Sequence, residues 1–230
     1  MSGVGRMKIE AVLFDMDGLM FDTESLSTEA FIYSAKKQNY EMTKNETLQV
    51  LGFTEDATYK FWESYFKDSH VDGIKLTDNH YEYIEKILFT TGPEKMPYIE
   101  ELLKYLKGNN YKVAVASSSN IIHIENNIEK TGLRKYIDKI ASGQEVSNGK
   151  PAPDVFLLAA ERLGVKPENC LVLEDSKAGI KAGCAAGATV FMVPDMFKVD
   201  RECKEIAHRI VKDLREVIII LEENIKSISR

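Results

Sequence analysis

The chain has 230 residues, of which 44% are hydrophobic and 29% are charged, and its formal net charge is −6. This length predicts one large domain or one domain with an insertion, with enough residues to bury a core. The negative charge and the lack of a basic cluster argue against a nucleic-acid or anionic-membrane partner. The longest dense apolar run covers residues 217–221. Because a membrane span needs roughly 18 apolar residues, no membrane segment is expected.

The cysteines indicate a reducing compartment. Cys170, Cys184 and Cys203 lack Cys-x-x-Cys spacing and are expected to be reduced, buried side chains. Residues 1–6 lack the apolar core of a signal peptide. They are interpreted either as a remnant of expression or as the segment before an alternative start at Met7. The expected location of the protein is the cytoplasm.

The first predicted strand covers residues 9–14 and is followed by a block without strand character. Four helices are predicted in this block, at residues 24–38, at 43–50, after an N-cap at Thr54 and around 81–88. Gly92 and the prolines that follow it interrupt the helical pattern. Residues 19–96 are therefore predicted to form an all-helical cap domain.

After Pro97 the predicted strands alternate with helices. The strands share short apolar runs and are predicted at residues 112–116, 137–142, 170–173 and 189–193. An apolar stripe between Leu214 and Ile225 predicts a closing helix. Such alternation is typical of parallel sheets. The predicted fold is therefore α/β, with a Rossmann-like doubly wound parallel sheet core formed by residues 1–18 and 97–230 and the helical cap inserted between them.

Polar side chains follow four of the predicted strands. The carboxyl ends of parallel strands lie along one edge of a sheet, so side chains distant in the sequence can converge there. The residues in question are Asp15 and Asp17 after the first strand, Ser117, Ser118 and Ser119 after the second, Lys150 after the third, and Glu174 and Asp175 after the fourth. The sequence predicts that these carboxylates, hydroxyls and the single lysine form one site.

This set of groups indicates phosphoryl transfer. Several clustered carboxylates do not readily stay ionised without a cation between them, and oxygen ligands of this kind suit Mg²⁺. A hydroxyl, a lysine and the amides of a helix start suit a phosphoryl group. One aspartate can attack phosphorus, and a second, two residues further on, can act as acid and then as base.

Each of these signals is weak when taken alone. An Asp-x-Asp-Gly segment is usually a turn or a helix cap, and the Ser117–Ser119 run is more often an N-cap cluster ahead of Asn120. Glu174 and Asp175 are more often a favourable negative start of a helix, and Lys150 is most often a solvated lysine. The four histidines show no metal spacing and are interpreted as structural or exposed. The shared position at successive strand ends favours the functional interpretation.

The polar segments resemble the motifs of the haloacid dehalogenase-like hydrolase superfamily, and within it the β-phosphoglucomutase-like branch with a helical cap. The matching segments are Phe14-Asp15-Met16-Asp17-Gly18, Val115-Ala116-Ser117-Ser118-Ser119-Asn120, Gly149-Lys150-Pro151-Ala152-Pro153-Asp154 and Leu173-Glu174-Asp175-Ser176. They span most of the chain, and as an ordered set they are specific for this superfamily.

The resemblance implies a role for each acidic residue. Asp15 is expected to be the nucleophile and a Mg²⁺ ligand. Asp17 is expected to be the general acid and base, with its backbone carbonyl on the metal. Asp175 is expected to be a further metal ligand, with Glu174 beside it as direct or water-mediated support.

The resemblance also implies how the substrate is bound and what happens to it. Ser117, Ser118 and Lys150 are expected to bind the phosphoryl group. The expected activity is that of a Mg²⁺-dependent phosphatase acting on a small phosphorylated metabolite, such as a sugar phosphate, through an aspartyl-phosphate. Closure of the cap is expected to exclude water and select the substrate. The chain is expected to be a monomer.

Two alternatives remain open. A β-phosphoglucomutase-type mutase would carry a histidine early in the first cap helix and an arginine after the glycine-containing turn of the cap. This chain has Leu26-Ser27-Thr28-Glu29 and Gly52-Phe53-Thr54-Glu55 in those stretches. A mutase holds a bisphosphate intermediate, whose second phosphate needs such a cation. Glu55 would repel that phosphate, so hydrolysis is favoured. The remote alternative is a non-enzymatic phospho-aspartate switch, whose receiver domains are about half this length and lack a cap.

Overall fold

The computed structural model describes residues 8–196 and 199–228, so the interpretation of residues 1–6 lies outside them. The chain divides into two compact units. One unit runs as far as Phe21 and resumes at Glu94, and the other spans Asp22–Pro93. None of the helices in the described ranges is long and apolar enough to cross a membrane.

The first unit contains a parallel sheet, which confirms the predicted fold class. In the part of the chain that the structure describes, its strands are β1 (Ala11–Phe14), β2 (Lys112–Ser117), β3 (Lys139–Ser142), β4 (Cys170–Glu174), β5 (Thr189–Met192) and β6 (Arg209–Ile210). Their order is β3-β2-β1-β4-β5-β6, and every neighbouring pair is parallel. The strand order reverses between β1 and β4, which is where open sheets of this type hold ligands.

β1 lies at the centre of this sheet and is covered on both faces. Its four residues are all buried. Val12 and Phe14 belong to one hydrophobic cluster, whereas Ala11 and Leu13 belong to the other, as the two-residue period of a strand requires. Phe14 lies opposite Val115 of β2 and Leu173 of β4, so the ends of these three strands are in register.

Helices cover both faces of the sheet. They are α5 (Ile99–Gly108), α6 (Ile121–Lys130), α7 (Asp154–Leu163), α8 (Lys177–Ala185), α9 (Arg201–Ile206) and α10 (Leu214–Ile228). α5, α6 and α10 contribute to the cluster that contains Phe14, and α7 and α8 contribute to the cluster that contains Leu13. β6 and α9 were not predicted, because elements of two and six residues are too short to show a period.

The second unit is helical, and the structure describes all of its residues. It contains α1 (Thr23–Lys36), α2 (Lys44–Thr47), a 3₁₀ turn (Leu48–Val50), α3 (Glu55–Tyr65) and α4 (Gly73–Thr90). Thr54 caps α3 as predicted, since its side chain accepts from the Ala57 amide. The fully buried Trp62 packs against Phe31 and Phe66 in the core of this unit.

Candidate active site

Asp15 and Asp17 follow the end of β1 and lie in different surroundings. The Asp15 amide still donates to the Leu173 carbonyl at 3.0 Å, so the chain stays extended for one residue beyond the strand. The Asp15 side chain is buried. Asp17 is half-buried, and its Oδ2 accepts a hydrogen bond from Ser119 Oγ at 2.8 Å. Two carboxyl groups two residues apart are thus held by two different partners.

Lys150 brings the segment after β3 into the site. Its Nζ contacts Oδ1 of Asp15 and donates to Oε1 of Glu174 at 2.7 Å, and its side chain is only 6% exposed. The ammonium lies 4.7 Å from the ring centroid of Phe156, which adds a cation–π contact. Burial disfavours the charged ammonium, but the charges of Asp15 and Glu174 outweigh it and raise the pKa of Lys150. Lys150 is therefore held as a fixed positive charge.

Glu174 is fixed by hydrogen bonds on both of its oxygens. Oε1 faces Lys150, and Oε2 accepts from the Ser176 amide at 2.7 Å and from Ser176 Oγ at 2.9 Å. The backbone of Gly179 lies directly against this carboxylate, because a Cβ atom built there would stand 1.6 Å from Oε1. The Glu174 carboxylate is therefore held in one orientation at the carboxyl end of β4.

The acidic side chains are close enough to hold a cation. One carboxylate oxygen each from Asp15, Glu174 and Asp175 lies within 4.8 Å of the others, and all three residues are buried. Burial, with the charges of Glu174 and Asp17, raises the pKa of Asp15 to about 7 despite Lys150. Burial, with the charges of Glu174 and Asp15, raises the pKa of Asp175 to about 10. A bound cation would relieve this repulsion.

The type of ligand atom and the room around the ligands both fit a small, hard cation. All the candidate ligands are carboxylate oxygens, which Mg²⁺ prefers. Gly18 has a φ of 79°, and a Cβ atom on it would lie 2.5 Å from Oδ2 of Asp175. A side chain at position 18 would therefore displace a candidate ligand, and glycine leaves that oxygen in place.

The end of β2 places Ser117 and Ser119 beside these groups. Ser117 is buried, and its Oγ accepts from the Ser119 amide at 3.0 Å. In this hydrogen bond the Ser117 oxygen is the acceptor, so its hydroxyl hydrogen can donate to a bound group. Ser118 lies in the same turn, and its side chain is exposed.

Two contacts of this site were missed by sequence reasoning. The bond from Ser119 to Asp17 could have been suspected, because the two-residue period that aligns Asp15 with Asp17 also aligns Ser117 with Ser119. The two hydrogen bonds from Ser176 to Glu174 are indicated in the sequence only by a serine two residues after the glutamate. Asn120, by contrast, caps α6 as predicted, since its side chain accepts from the His123 amide.

Comparison with known proteins identifies the family. A family model described as haloacid dehalogenase-like hydrolase matches residues 12–193, which contain every candidate site residue. The chain belongs to this family. The resemblance inferred from the four sequence segments is thereby confirmed.

Relatives of this haloacid dehalogenase-like hydrolase include named phosphatases. The chain is 32% identical to a phosphorylated carbohydrates phosphatase of Thermotoga maritima over 78% of this chain and 82% of that protein. It is 34% identical to a probable pseudouridine-5′-phosphatase of Drosophila melanogaster over 82% of this chain and 83% of that protein. A crystal structure from Thermotoga maritima, provisionally named β-phosphoglucomutase, is 28% identical with a TM-score of 0.81. That match covers 94% of this chain and 99% of the other.

Proposed function

We propose that this family member is a Mg²⁺-dependent phosphatase that hydrolyses a small phosphomonoester through an aspartyl-phosphate. The observation that carries the proposal is the division between Asp15 and Asp17. Asp15 is buried against the fixed cation Lys150, whereas Asp17 is half-buried and bonded to a neutral hydroxyl. Two carboxyl groups in such different surroundings suit two different roles in one reaction.

In the proposed first step Asp15 acts as the nucleophile. One carboxylate oxygen attacks phosphorus, and the bond between phosphorus and the ester oxygen breaks. The leaving oxygen takes the electron pair of that bond and a proton from Asp17. The products of this step are the free alcohol and a phosphoryl group on Asp15.

In the proposed second step Asp17 acts as a base. It takes a proton from a water molecule as the water oxygen attacks phosphorus, and the bond between phosphorus and Asp15 breaks. Inorganic phosphate leaves, and both aspartates return to their starting protonation states. The short spacing between Asp15 and Asp17 allows one carboxyl group to serve both steps.

Lys150 and Ser117 are proposed to bind the transferring group. The buried ammonium of Lys150 offsets the negative charge of the phosphoryl oxygens, and the Ser117 hydroxyl donates to one of them. Ser118 is proposed to assist through its position in the same turn. These groups are fixed before the substrate arrives, so little reorganisation accompanies the reaction.

The metal is proposed to be held by Asp15 and Asp175, with the backbone carbonyl of Asp17. The oxygens of Glu174 already accept hydrogen bonds from Lys150 and Ser176. Glu174 is therefore proposed to support the metal from beside Asp175, either by direct contact or through a water molecule. When bound, Mg²⁺ would supply positive charge to the phosphoryl oxygens. We further propose that the helical unit Asp22–Pro93 is the cap that selects the substrate.

A sugar-phosphate mutase is the second candidate, favoured by the provisional name of the structural neighbour from Thermotoga maritima. A mutase must hold a second phosphate, for which a cation is needed. Thr54 and Glu55 open α3 at the position where the mutase pattern has an arginine. Conversion of β-glucose 1-phosphate to glucose 6-phosphate without phosphate release would favour the mutase.

A panel of phosphorylated metabolites, assayed for released phosphate with and without Mg²⁺, tests the proposal. We expect phosphate release from at least one small phosphomonoester, and only with the metal. Asp15→Asn should abolish the release. The matched control is Asp68→Asn, because that carboxylate is 89% exposed. Undiminished release by Asp15→Asn would contradict the assignment of the nucleophile.

A further inference from the structure

Ser119 lies at the site but has no role in the reaction described above. β2 ends at Ser117, and Ser119 follows two residues later. Its Oγ donates to Oδ2 of Asp17 at 2.8 Å, across 102 residues of sequence. This bond joins the end of β2 to the segment that follows β1.

The backbone of Ser119 is fixed on both sides. Its amide donates to Ser117 Oγ at 3.0 Å, and its carbonyl accepts from Ser142 Oγ at 2.7 Å. Ser142 is the last residue of β3 and is fully buried. With both peptide groups held, the direction of the Ser119 side chain is set by its neighbours.

The end of β3 is packed closely behind this turn. A Cβ atom on Gly143 would lie 2.9 Å from the Ser118 carbonyl oxygen and 3.0 Å from its Cα atom. The Ser142 amide in turn donates to Glu145 Oε2, and Arg162 pairs with that carboxylate at 2.7 Å. A continuous set of contacts therefore runs from α7 through β3 to Ser119.

We infer that Ser119 is a positioning residue that holds the Asp17 carboxyl group in the orientation from which it gives its proton to the leaving oxygen. The inference rests on the proposed function and extends it. A hydrogen bond to one carboxyl oxygen restricts the rotation of the Asp17 side chain. General acid catalysis depends on the alignment of the acid with the atom that it protonates.

This role predicts a dependence on the leaving group that a structural role does not. When an alkyl phosphate reacts, the phosphorus–oxygen bond breaks to a strongly basic alkoxide, which needs the proton of Asp17. When p-nitrophenyl phosphate reacts, the weakly basic phenolate departs without it. Loss of the Ser119 hydroxyl should therefore slow the alkyl ester selectively.

The test compares glycerol 3-phosphate with p-nitrophenyl phosphate, using kcat/KM because it reports the steps through formation of the aspartyl-phosphate. General acids contribute about 10²–10⁴-fold, so partial misalignment in Ser119→Ala should lower kcat/KM for glycerol 3-phosphate by about 10- to 100-fold. The kcat/KM for p-nitrophenyl phosphate should fall by less than about threefold, because its leaving group needs little protonation by Asp17. Ser64→Ala, an exposed serine of α3, is the control.

A double-mutant cycle separates this role from a general weakening of the site. In an Asp17→Asn background, Ser119→Ala should leave the ratio of the two kcat/KM values unchanged, because the group it positions is already gone. Equal losses on both esters, or a further change of that ratio in the Asp17→Asn background, would overturn the inference. Another alkyl ester of the metabolite panel replaces glycerol 3-phosphate where the wild type does not hydrolyse it. A wild-type protein that releases phosphate from no ester of the panel contradicts the proposed function instead, and the inference falls with it.

Discussion

The ammonium of Lys150 contacts the Asp15 carboxylate, although 135 residues separate the two in sequence. Glu174 contacts the same ammonium at 2.7 Å. One lysine therefore offsets the charge of two buried carboxylates at the carboxyl ends of β1 and β4. This arrangement has consequences for stability as well as for chemistry.

Lys150→Met should unfold at a clearly lower temperature than the wild type. The change leaves Asp15 and Glu174 buried without their cation, and breaking a buried ion pair in this way costs about 3–5 kcal/mol. Thermal melting followed by circular dichroism measures the effect. Lys8→Met is the control, because that lysine is 76% exposed and its pair with Glu10 lies at the surface. Equal melting temperatures for wild type and Lys150→Met would contradict this account.

Mg²⁺ should stabilise the protein more at pH 8 than at pH 5. The pKa of Asp15 is raised from 3.8 to about 7, and that of Asp175 from 3.8 to about 10. The folded metal-free protein therefore keeps protons that the unfolded chain releases, and its stability falls as the pH rises above about 4. Because protons compete with the metal for these oxygens, the Mg²⁺-induced rise in Tm should grow with pH.

Variants identify the residues behind this metal effect. Asp175→Asn should abolish most of the Mg²⁺-induced rise in Tm, whereas Asp68→Asn should keep it. A rise that is equal at the two pH values, or that survives Asp175→Asn, would show that the metal binds elsewhere.

His80 should make the helical unit sensitive to acid. It is buried, it stacks on Phe31 with ring centroids 3.6 Å apart, and its Nε2 lies 2.9 Å from Ser27 Oγ. Burial lowers the pKa of His80 from 6.5 to about 3. Between these values the unfolded chain binds a proton that the folded protein does not, so the contribution of His80 to stability falls as the pH falls below about 6.5.

The loss through His80 should reach about 2 kcal/mol at pH 5, at roughly 1.4 kcal/mol for each pH unit. Urea unfolding of the wild type, His80→Gln and the exposed control His70→Gln at pH 7 and pH 5 measures it. Because Asp15 and Asp175 titrate alike in all three proteins, the change in unfolding free energy from pH 7 to pH 5 should be about 2 kcal/mol more favourable in His80→Gln than in the wild type. An unchanged pH dependence in His80→Gln would rule out this role.

Gly179→Ala should disturb the site through Glu174. The added Cβ atom would fall 1.6 Å from Oε1, so the carboxylate must move away from Lys150 and Ser176. Overpacking of this kind costs about 1–3 kcal/mol and should lower phosphatase activity as well. Gly108→Ala is the matched control, because nothing lies within 4 Å of its added Cβ atom. Full activity and stability in Gly179→Ala would contradict the described packing.

Local patterns predicted much of this architecture. The apolar runs that become β1, β2, β4 and β5 are short and nearly free of polar residues, and polar groups follow three of them. The parallel fold class followed from their alternation with helices. The convergence of Asp15, Lys150, Glu174 and Asp175 followed from the shared edge of a parallel sheet.

The remaining features depend on strand register and side-chain packing, which cannot be predicted from a short stretch of sequence. Ser119 reaches Asp17 because β1 and β2 pair with Phe14 opposite Val115, a relationship between segments about 100 residues apart. The carboxylate of Glu174 fits only because Gly179 has no side chain. In the sequence this glycine is only one of several small residues in a predicted helix. β6 is a two-residue edge strand defined by its neighbour β5.

The central claim is that Asp15 carries the phosphoryl group, and trapping that group tests it most directly. With p-nitrophenyl phosphate as substrate, Asp17→Asn should transfer the phosphoryl group to Asp15 and release p-nitrophenolate. It should hydrolyse the aspartyl-phosphate slowly, because the base for the second step is missing. After a rapid acid quench, mass spectrometry of the digested protein should find one added phosphoryl group on the peptide that contains Asp15. A phosphoryl group on another residue, or none while phosphate is still released, would contradict the account.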